Sequence, residues 1–262
     1  MKRLFSIVAI CLITKVSYAQ FFDSTTGLLQ MPTATMEPSG TFMITNNYLN
    51  WHTLHPRYWG YYNTFAYGFD ITFFSRLEIA YVCTIIDGKR VENPSERSKI
   101  MFNQDRHFSV KAQLLKEGEI FSWTPSIAVG ACDPLSGTDS GYREQSAEGS
   151  GSGFFNRYYV VASKHFDTKI GTIGAHLGYQ YTGRVIMNYN SPALAVDWKP
   201  IWVTQWESPI INDIDIIAEY DGRTINTGLI TTLFNNHFDV MLELNALLHF
   251  MAGIRFKMVL KS

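Results

Sequence analysis

A chain of 262 residues with 22 Lys and Arg against 23 Asp and Glu has no basic excess with which to grip nucleic acid. Its length suits one large β domain rather than a small fold stapled by disulfides. Aromatic residues reach 15% while charged residues stop at 17%, against about 25% charged in an ordinary soluble domain; this balance fits a membrane-interface or sheet-rich protein better than a cytosolic enzyme.

The chain opens as an export signal. Lys2 and Arg3 precede an apolar run from Leu4 to Ile13, and Ser17-Tyr18-Ala19 supplies the small residues that favour cleavage before Gln20. The run is too short for a permanent anchor, because a spanning helix needs about 20 residues. Residues 1–19 are therefore expected to be a signal peptide and residues 20–262 a single domain. A lipid anchor at Cys11 would require a small residue ahead of it, and Ile10 stands there. No later stretch is apolar enough for a membrane helix, which leaves a soluble exported protein or an outer-membrane β-barrel.

The strand pattern separates the two. Strands are expected around 40–50 and 62–73. Next, Leu77, Ile79, Tyr81, Cys83 and Ile85 face away from Arg76, Glu78, Ala80, Val82 and Thr84. Phe108, Val110, Ala112 and Leu114 oppose His107, Ser109, Lys111 and Gln113. Strands around 123–132 and 157–166 follow. Ile173, Ala175, Leu177, Tyr179 and Tyr181 then oppose Thr172, Gly174, His176, Gly178 and Gln180. A strand over 193–205 is interrupted by Pro200.

The last fifty residues are the cleanest. Ile214, Ile216, Ala218 and Tyr220 oppose Asp213, Asp215, Ile217 and Glu219, and Asp221-Gly222 then signals a hairpin. Ile225, Thr227, Leu229, Thr231 and Leu233 share the next apolar face, before an Asn235-Asn236 turn. Phe238, Val240, Leu242 and Leu244 oppose Asp239, Met241, Glu243 and Asn245. Ile254, Phe256, Met258 and Leu260 alternate with Arg255 and Lys257.

Several of these runs reach ten residues, longer than the five or six usual in a soluble sandwich. The predicted joints alternate long and short: about 51–61, 86–104, 133–156 and 182–192 against 74–75, 116–122 and 167–168. Long outer loops and short periplasmic turns have this rhythm. The expectation is an all-β fold: an antiparallel transmembrane β-barrel of about twelve strands, with ten to fourteen as the range, in the bacterial outer membrane.

Cys83 and Cys132 lie in strand-like runs and read as small apolar packers. The loop 136–153 is rich in Ser and Gly. Trp198, Trp202 and Trp206 sit with Pro200 and Pro209; they read as an aromatic girdle at the membrane boundary or as a saccharide-stacking patch.

Several phrases, in this order, carry a family resemblance. They are Gly27-Leu28-Leu29-Gln30-Met31-Pro32-Thr33-Ala34 with Gly40, Leu77-Glu78-Ile79-Ala80-Tyr81, and Phe108-Ser109-Val110-Lys111. Pro125-Ser126-Ile127-Ala128-Val129-Gly130, Tyr159-Val160-Val161-Ala162-Ser163-Lys164 and Ala218-Glu219-Tyr220-Asp221 follow. Together they resemble the YjbH-type exopolysaccharide biosynthesis family. The resemblance implies outer-membrane placement and a part in polysaccharide secretion, and it brings no catalytic residues. Members of that family are often much longer, with more than one barrel-like region; this chain has room for one.

No nucleophile elbow, zinc-protease helix, P-loop or dinucleotide pattern is present, and the histidines are scattered without metal-ligand pairing. No enzyme activity, cofactor or metal is expected. The candidate functional groups are the charges on the polar strand faces: Glu78, Lys111, Asp215, Glu219, Glu243, Arg255 and Lys257. They would either neutralise one another and plug a narrow lumen or line a polar path through it. The leading expectation is a non-enzymatic barrel assisting exopolysaccharide or capsule secretion or assembly. Its partners would be the lipid bilayer, polysaccharide and other secretion proteins of the envelope, with no nucleic acid. A receptor or adhesin barrel that binds through its long loops is the alternative, and an outer-membrane enzyme a more distant one.

Overall fold

The computed structural model describes residues 18–19, 22–53, 63–88, 100–134, 155–182, 190–206 and 208–260. The leader's Lys2, Arg3, Cys11 and Leu4-to-Ile13 run, and the loop 136–153, lie outside the described residues.

Twelve strands close into one antiparallel barrel. They are β1 (Thr41–Leu49), β2 (Thr64–Phe73), β3 (Leu77–Gly88), β4 (Ile100–Leu115), β5 (Ser126–Cys132) and β6 (Arg157–Thr168). β7 (Gly171–Tyr181), β8 (Ser191–Pro200), β9 (Ile211–Tyr220), β10 (Ile225–Leu233), β11 (Phe238–Asn245) and β12 (His249–Val259) complete it. Each strand pairs with the next in sequence, and β12 returns to β1 along Val259↔Thr41 to Ala252↔Tyr48. Closure removes the sheet edges that would otherwise present unpaired backbone. Among the described residues no helix is long and apolar enough to cross a membrane.

The alternation read from the sequence is the alternation of the wall. On β9, Asp213, Asp215, Ile217 and Glu219 are buried, while Ile216 is exposed. On β3 and β4, Glu78, Val82, His107, Ser109 and Lys111 point inward, while Ile79 and Phe108 are exposed. Because successive side chains take opposite faces, a single offset puts charge inside and Ile, Leu, Val and Phe outside along most of the wall.

The joints define two ends. At the loop end, residues 50–63, 89–99, 133–156, 182–190, 221–224 and 246–248 connect strands; at the turn end, 74–76, 116–125, 169–170, 201–210 and 234–237 do so. Two boundaries differ most from expectation. The long joint after β3 shrinks to 89–99, because β3 and β4 pair onward to Gly88↔Ile100 past a register shift at Ile85/Ile86. β8 stops at Pro200 rather than 205, since proline has no N–H to donate to the ladder; Ile201–Thr204 coil into one helical turn. At the β9–β10 turn, Asp221 Oδ1 accepts the backbone N–H of Arg223 and of Thr224, each at 2.7 Å, and Gly222 takes φ +90°. Such a self-bonding aspartate before glycine is a turn with a mechanism.

Gly40 is where the chain enters the wall. Its N–H donates to Thr72 O and its carbonyl accepts from Leu260 N, both at 2.8 Å, at φ +82°. Leu260 follows directly on β12, so the barrel seam begins at this residue.

Candidate functional site: a lumen filled by the chain's own N-terminal segment

From Phe22 to Thr35 every residue is buried, without a break. This segment runs inside the barrel. Asp23 pairs with Arg157 at the loop-end start of β6. Thr26 meets Glu78 and Lys111 near the turn end, and residues 29–31 climb back to Glu219 near the loop end. Thr35 descends to Lys111 again, and Glu37 lies near Lys257. A bridge between Gly27 and Pro32 and a Leu28 N to Met31 O bond of 2.9 Å close the turn whose tip is 29–30. Thr26–Gly27 also pairs with Tyr18–Ala19.

Chain threaded through a lumen has a backbone problem. Buried N–H and C=O groups must find partners, and most of this segment belongs to no sheet. The wall provides them by charge type. Glu219 accepts three successive backbone N–H groups, from Leu29 (3.2 Å), Gln30 (2.7 Å) and Met31 (3.2 Å). Such a run of N–H groups curled round an anion is a nest. Glu78 accepts from Thr26 N at 2.9 Å, and Ser163 Oγ from Ala34 N at 2.8 Å. On the donor side, Lys111 Nζ reaches the carbonyls of Thr26 and Thr35, each at 2.7 Å. Arg157 donates to Gln30 O at 3.0 Å and Gln113 to Ala34 O at 2.6 Å. Glutamates hold the amides of Thr26 and residues 29–31, Lys111 and Arg157 hold carbonyls, and neutral Ser163 and Gln113 hold the two backbone groups of Ala34.

The apolar side chains of the segment fill the remaining space. Phe22, Leu28, Leu29, Met31 and Ala34 join one core with inward residues such as Val82, Ala128, Val161, Ile217, Ile230 and Met241. Gly228 leaves room here: a Cβ on it would lie 3.0 Å from Leu29 Cδ1 and 2.1 Å from Leu242 O.

The seven charges singled out in the sequence are all buried on the inner face. Glu78, Lys111, Glu219, Glu243 and Lys257 face the threaded segment directly; Glu243 accepts from Gln30 Nε2 at 2.7 Å, and Lys257 Nζ lies 3.5 Å from Glu37 Oε1. Arg255 and Asp215 have partners on the wall. Arg255 Nε donates to Asp239 Oδ2 at 2.7 Å. Asp215 acts on Lys199, whose Nζ is 3.0 Å from Asp213 Oδ2. Trp198, Trp202 and Trp206 are at the turn end, on the outside. Trp198 Nε1 donates to Ile170 O at 3.1 Å, and Trp202 and Trp206 are exposed. They have company there: Phe74, Phe121, Trp123, Ile170 and Phe234 project from the other turn-end joints, all exposed. Cys83 and Cys132 are free and buried.

Sequence reasoning missed the threaded segment itself. Its signal was negative: Gly27 to Ala34 shows no period of two, and Pro32 bars a central strand. It also missed Asp23, Arg157 and Ser163 as contributors. Nor did it bring together His165, His176 and Asp197, whose ligand atoms lie within 4.8 Å of one another. His176 Nδ1 is 2.8 Å from Ser163 Oγ and its Nε2 2.5 Å from Asp197 Oδ1. That line has the composition of an acyl-transfer relay, but Ser163 is 1% exposed and its Oγ is engaged by Ala34 N. The hydroxyl faces the threaded segment, not a cleft.

A family model described as exopolysaccharide biosynthesis protein YbjH matches residues 20–199. The chain belongs to the YjbH exopolysaccharide biosynthesis family. The matched span takes in the threaded segment and β1 to β8, whereas Glu219, Glu243, Arg255 and Lys257 lie beyond it. No curated protein matches the chain.

Proposed function

We propose that this member of the YjbH family is a non-enzymatic outer-membrane barrel that assists exopolysaccharide secretion or assembly, with residues 22–38 as a displaceable plug. The observation that carries the reading is the chemistry of the lumen wall. A barrel meant only to be solid could be filled with apolar side chains. Here the wall bonds a backbone through Glu219, Lys111, Glu78, Arg157 and Gln113. Once the plug leaves, the same groups offer closely spaced acceptors and donors, which suit water and the hydroxyls of a saccharide chain.

Placement in the outer membrane is supported by the expected signal peptide and by the outward belt of Ile44, Phe69, Phe108, Leu177, Leu194, Ile216 and Ile254, all exposed. The aromatic and aliphatic side chains on every turn-end joint fit an interfacial girdle, with that end on the periplasmic side. The working partners would be lipid, polysaccharide and other secretion proteins of the envelope.

Deleting the protein from its own cell is expected to change the surface polysaccharide profile; an unchanged profile would refute the assignment to secretion. Replacing residues 27–32 by a Gly/Ser linker is expected to raise ion conductance in planar bilayers, and conductance equal to that of the native barrel would refute a displaceable plug.

A further inference from the structure

His165, His176 and Asp197 lie on three adjacent strands, β6, β7 and β8, towards the turn end. We propose that they form a binding site for one divalent transition-metal ion of the kind imidazole favours, such as zinc. The inference does not depend on the secretion reading.

Orientation of the rings is the first support. His165 Nδ1 is 2.7 Å from Glu117 Oε2 and His176 Nδ1 is 2.8 Å from Ser163 Oγ. Both imidazoles are thus fixed through Nδ1, which leaves Nε2 for a ligand. Metal-binding histidines are held in this way by a carboxylate or another polar group behind the ring. On His176 that Nε2 is hydrogen-bonded to Asp197 Oδ1 at 2.5 Å. A divalent ion would displace the proton shared there, as metals do at histidine and carboxylate sites.

Space is the second support. Gly174 sits on β7 opposite His165 of β6 and opposite Asp197 of β8 in strand register. The side chain it lacks would fall among the donors: a Cβ there would lie 2.0 Å from Asp197 Oδ1. The donor atoms lie within 4.8 Å of one another, against roughly 3.4 Å between two ligand atoms on a tetrahedral zinc. A bound ion would close the longer of these gaps and open the 2.5 Å contact between His176 and Asp197.

The third support is access and charge. His176 and Asp197 are buried, but the His165 side chain is 19% exposed at the rim, so an ion can enter from the turn end. Three protein ligands leave a further position for water. Two imidazoles and a carboxylate suit zinc, cobalt, nickel or iron(II) rather than calcium or magnesium, which take oxygen ligands. The nearby lysines have partners of their own outside the donor set: Lys164 bonds Ser122 O and Glu117, and Lys199 pairs with Asp213.

The test uses the full chain in detergent, purified without a polyhistidine tag and stripped with EDTA. Cobalt(II) is titrated in and the visible d–d absorption recorded. The expected result is one cobalt per chain, displaced by zinc and not by magnesium. His165→Gln and His176→Gln should abolish the band, and Glu117→Gln should weaken binding about 10–100-fold. His52→Gln, at the loop end, should leave binding unchanged. Heat-modifiable migration on a gel checks that each variant is folded; His165, the most exposed of the three, gives the variant least disturbing to the wall. No band in the native chain, or a band that persists in folded His165→Gln, overturns the proposal.

Discussion

The plug is held at two places that solve the same problem in opposite ways. Near the loop end a carboxylate, Glu219, gathers three amides and takes a fourth bond from Asn226 Nδ2 at 3.2 Å. Near the turn end an ion pair, Lys111 and Glu78 at 3.3 Å, grips two separate passes of the chain. It holds Thr26 through N–H, hydroxyl and carbonyl, and Thr35 through its carbonyl. The first anchor holds only the tip of a turn, so losing it loosens local structure. The second ties both passes to adjacent strands, β3 and β4, so losing it frees the segment and strands a buried charge. The turn-end anchor also lies within the span matched by the family model, and Glu219 lies outside it.

The largest effect is expected from Lys111→Met. Removing one partner of a buried pair costs about 3–5 kcal/mol, and here it also removes the charged donor from two plug carbonyls, Thr26 O and Thr35 O. The folded barrel should lose its heat-resistant migration at a clearly lower temperature. Adding Glu78→Leu to Lys111→Met should recover part of the loss, since a well-packed apolar pair can replace a buried ion pair. A double variant no better than the single one would break the account of this anchor.

Next comes a covalent lock. Ala34 N and Ser163 Oγ are 2.8 Å apart, so Ala34→Cys with Ser163→Cys places two thiols together. Oxidation should block any conductance that follows plug release, and reduction should restore it. Conductance indifferent to oxidation would mean the plug near Ala34 does not move.

Glu219→Leu should be milder than Lys111→Met. It leaves three amides without their acceptor, each worth about 1–3 kcal/mol when left unpaired, but a tip at 29–31 can shift towards other acceptors. Faster hydrogen exchange confined to residues 28–31 is the expected readout, with Glu219→Gln showing less because it keeps one acceptor oxygen. Exchange spreading to Thr26 and Thr35 would erase the distinction between the anchors.

The smallest effect belongs to the turn-end rim. There the Lys116 N–H, at 2.8 Å, and Arg76 hold the Glu119 carboxyl below its ordinary value of 4.5. A lowered carboxyl stabilises the fold above its unfolded value, and that contribution fades as pH falls through the folded value. Because Glu119 is solvent-exposed, Glu119→Gln should barely move the unfolding temperature at neutral pH and should flatten its fall below about pH 4.5. A large shift at neutral pH would place a structural anchor on the rim.

The wall was legible in the sequence because its signal is local. Alternation within ten residues fixes which side of β9 faces inward, and so puts Asp215 and Glu219 inside. The plug's bonds are not local: Leu29 reaches Glu219 across 190 positions, and nothing in Gly27 to Ala34 announces a partner. The three donors of the proposed metal site share a different obstacle. His165, His176 and Asp197 become neighbours only when β6, β7 and β8 are set in register, and a shift of one residue would turn a strand's side chains to the opposite face. The end of β8 was misjudged for a smaller reason: the pattern through Ile201, Trp202 and Val203 stays apolar, while Pro200 ends the ladder.

Gly40 carries a consequence of its own. It ties the plug to the seam between β1 and β12, so a displaced plug remains leashed to the mouth it has left. Return is then an intramolecular event at an effective concentration in the millimolar range for a short tether, whatever the abundance of the protein. The barrel would reseal as soon as its cargo clears, with no second molecule needed to shut it.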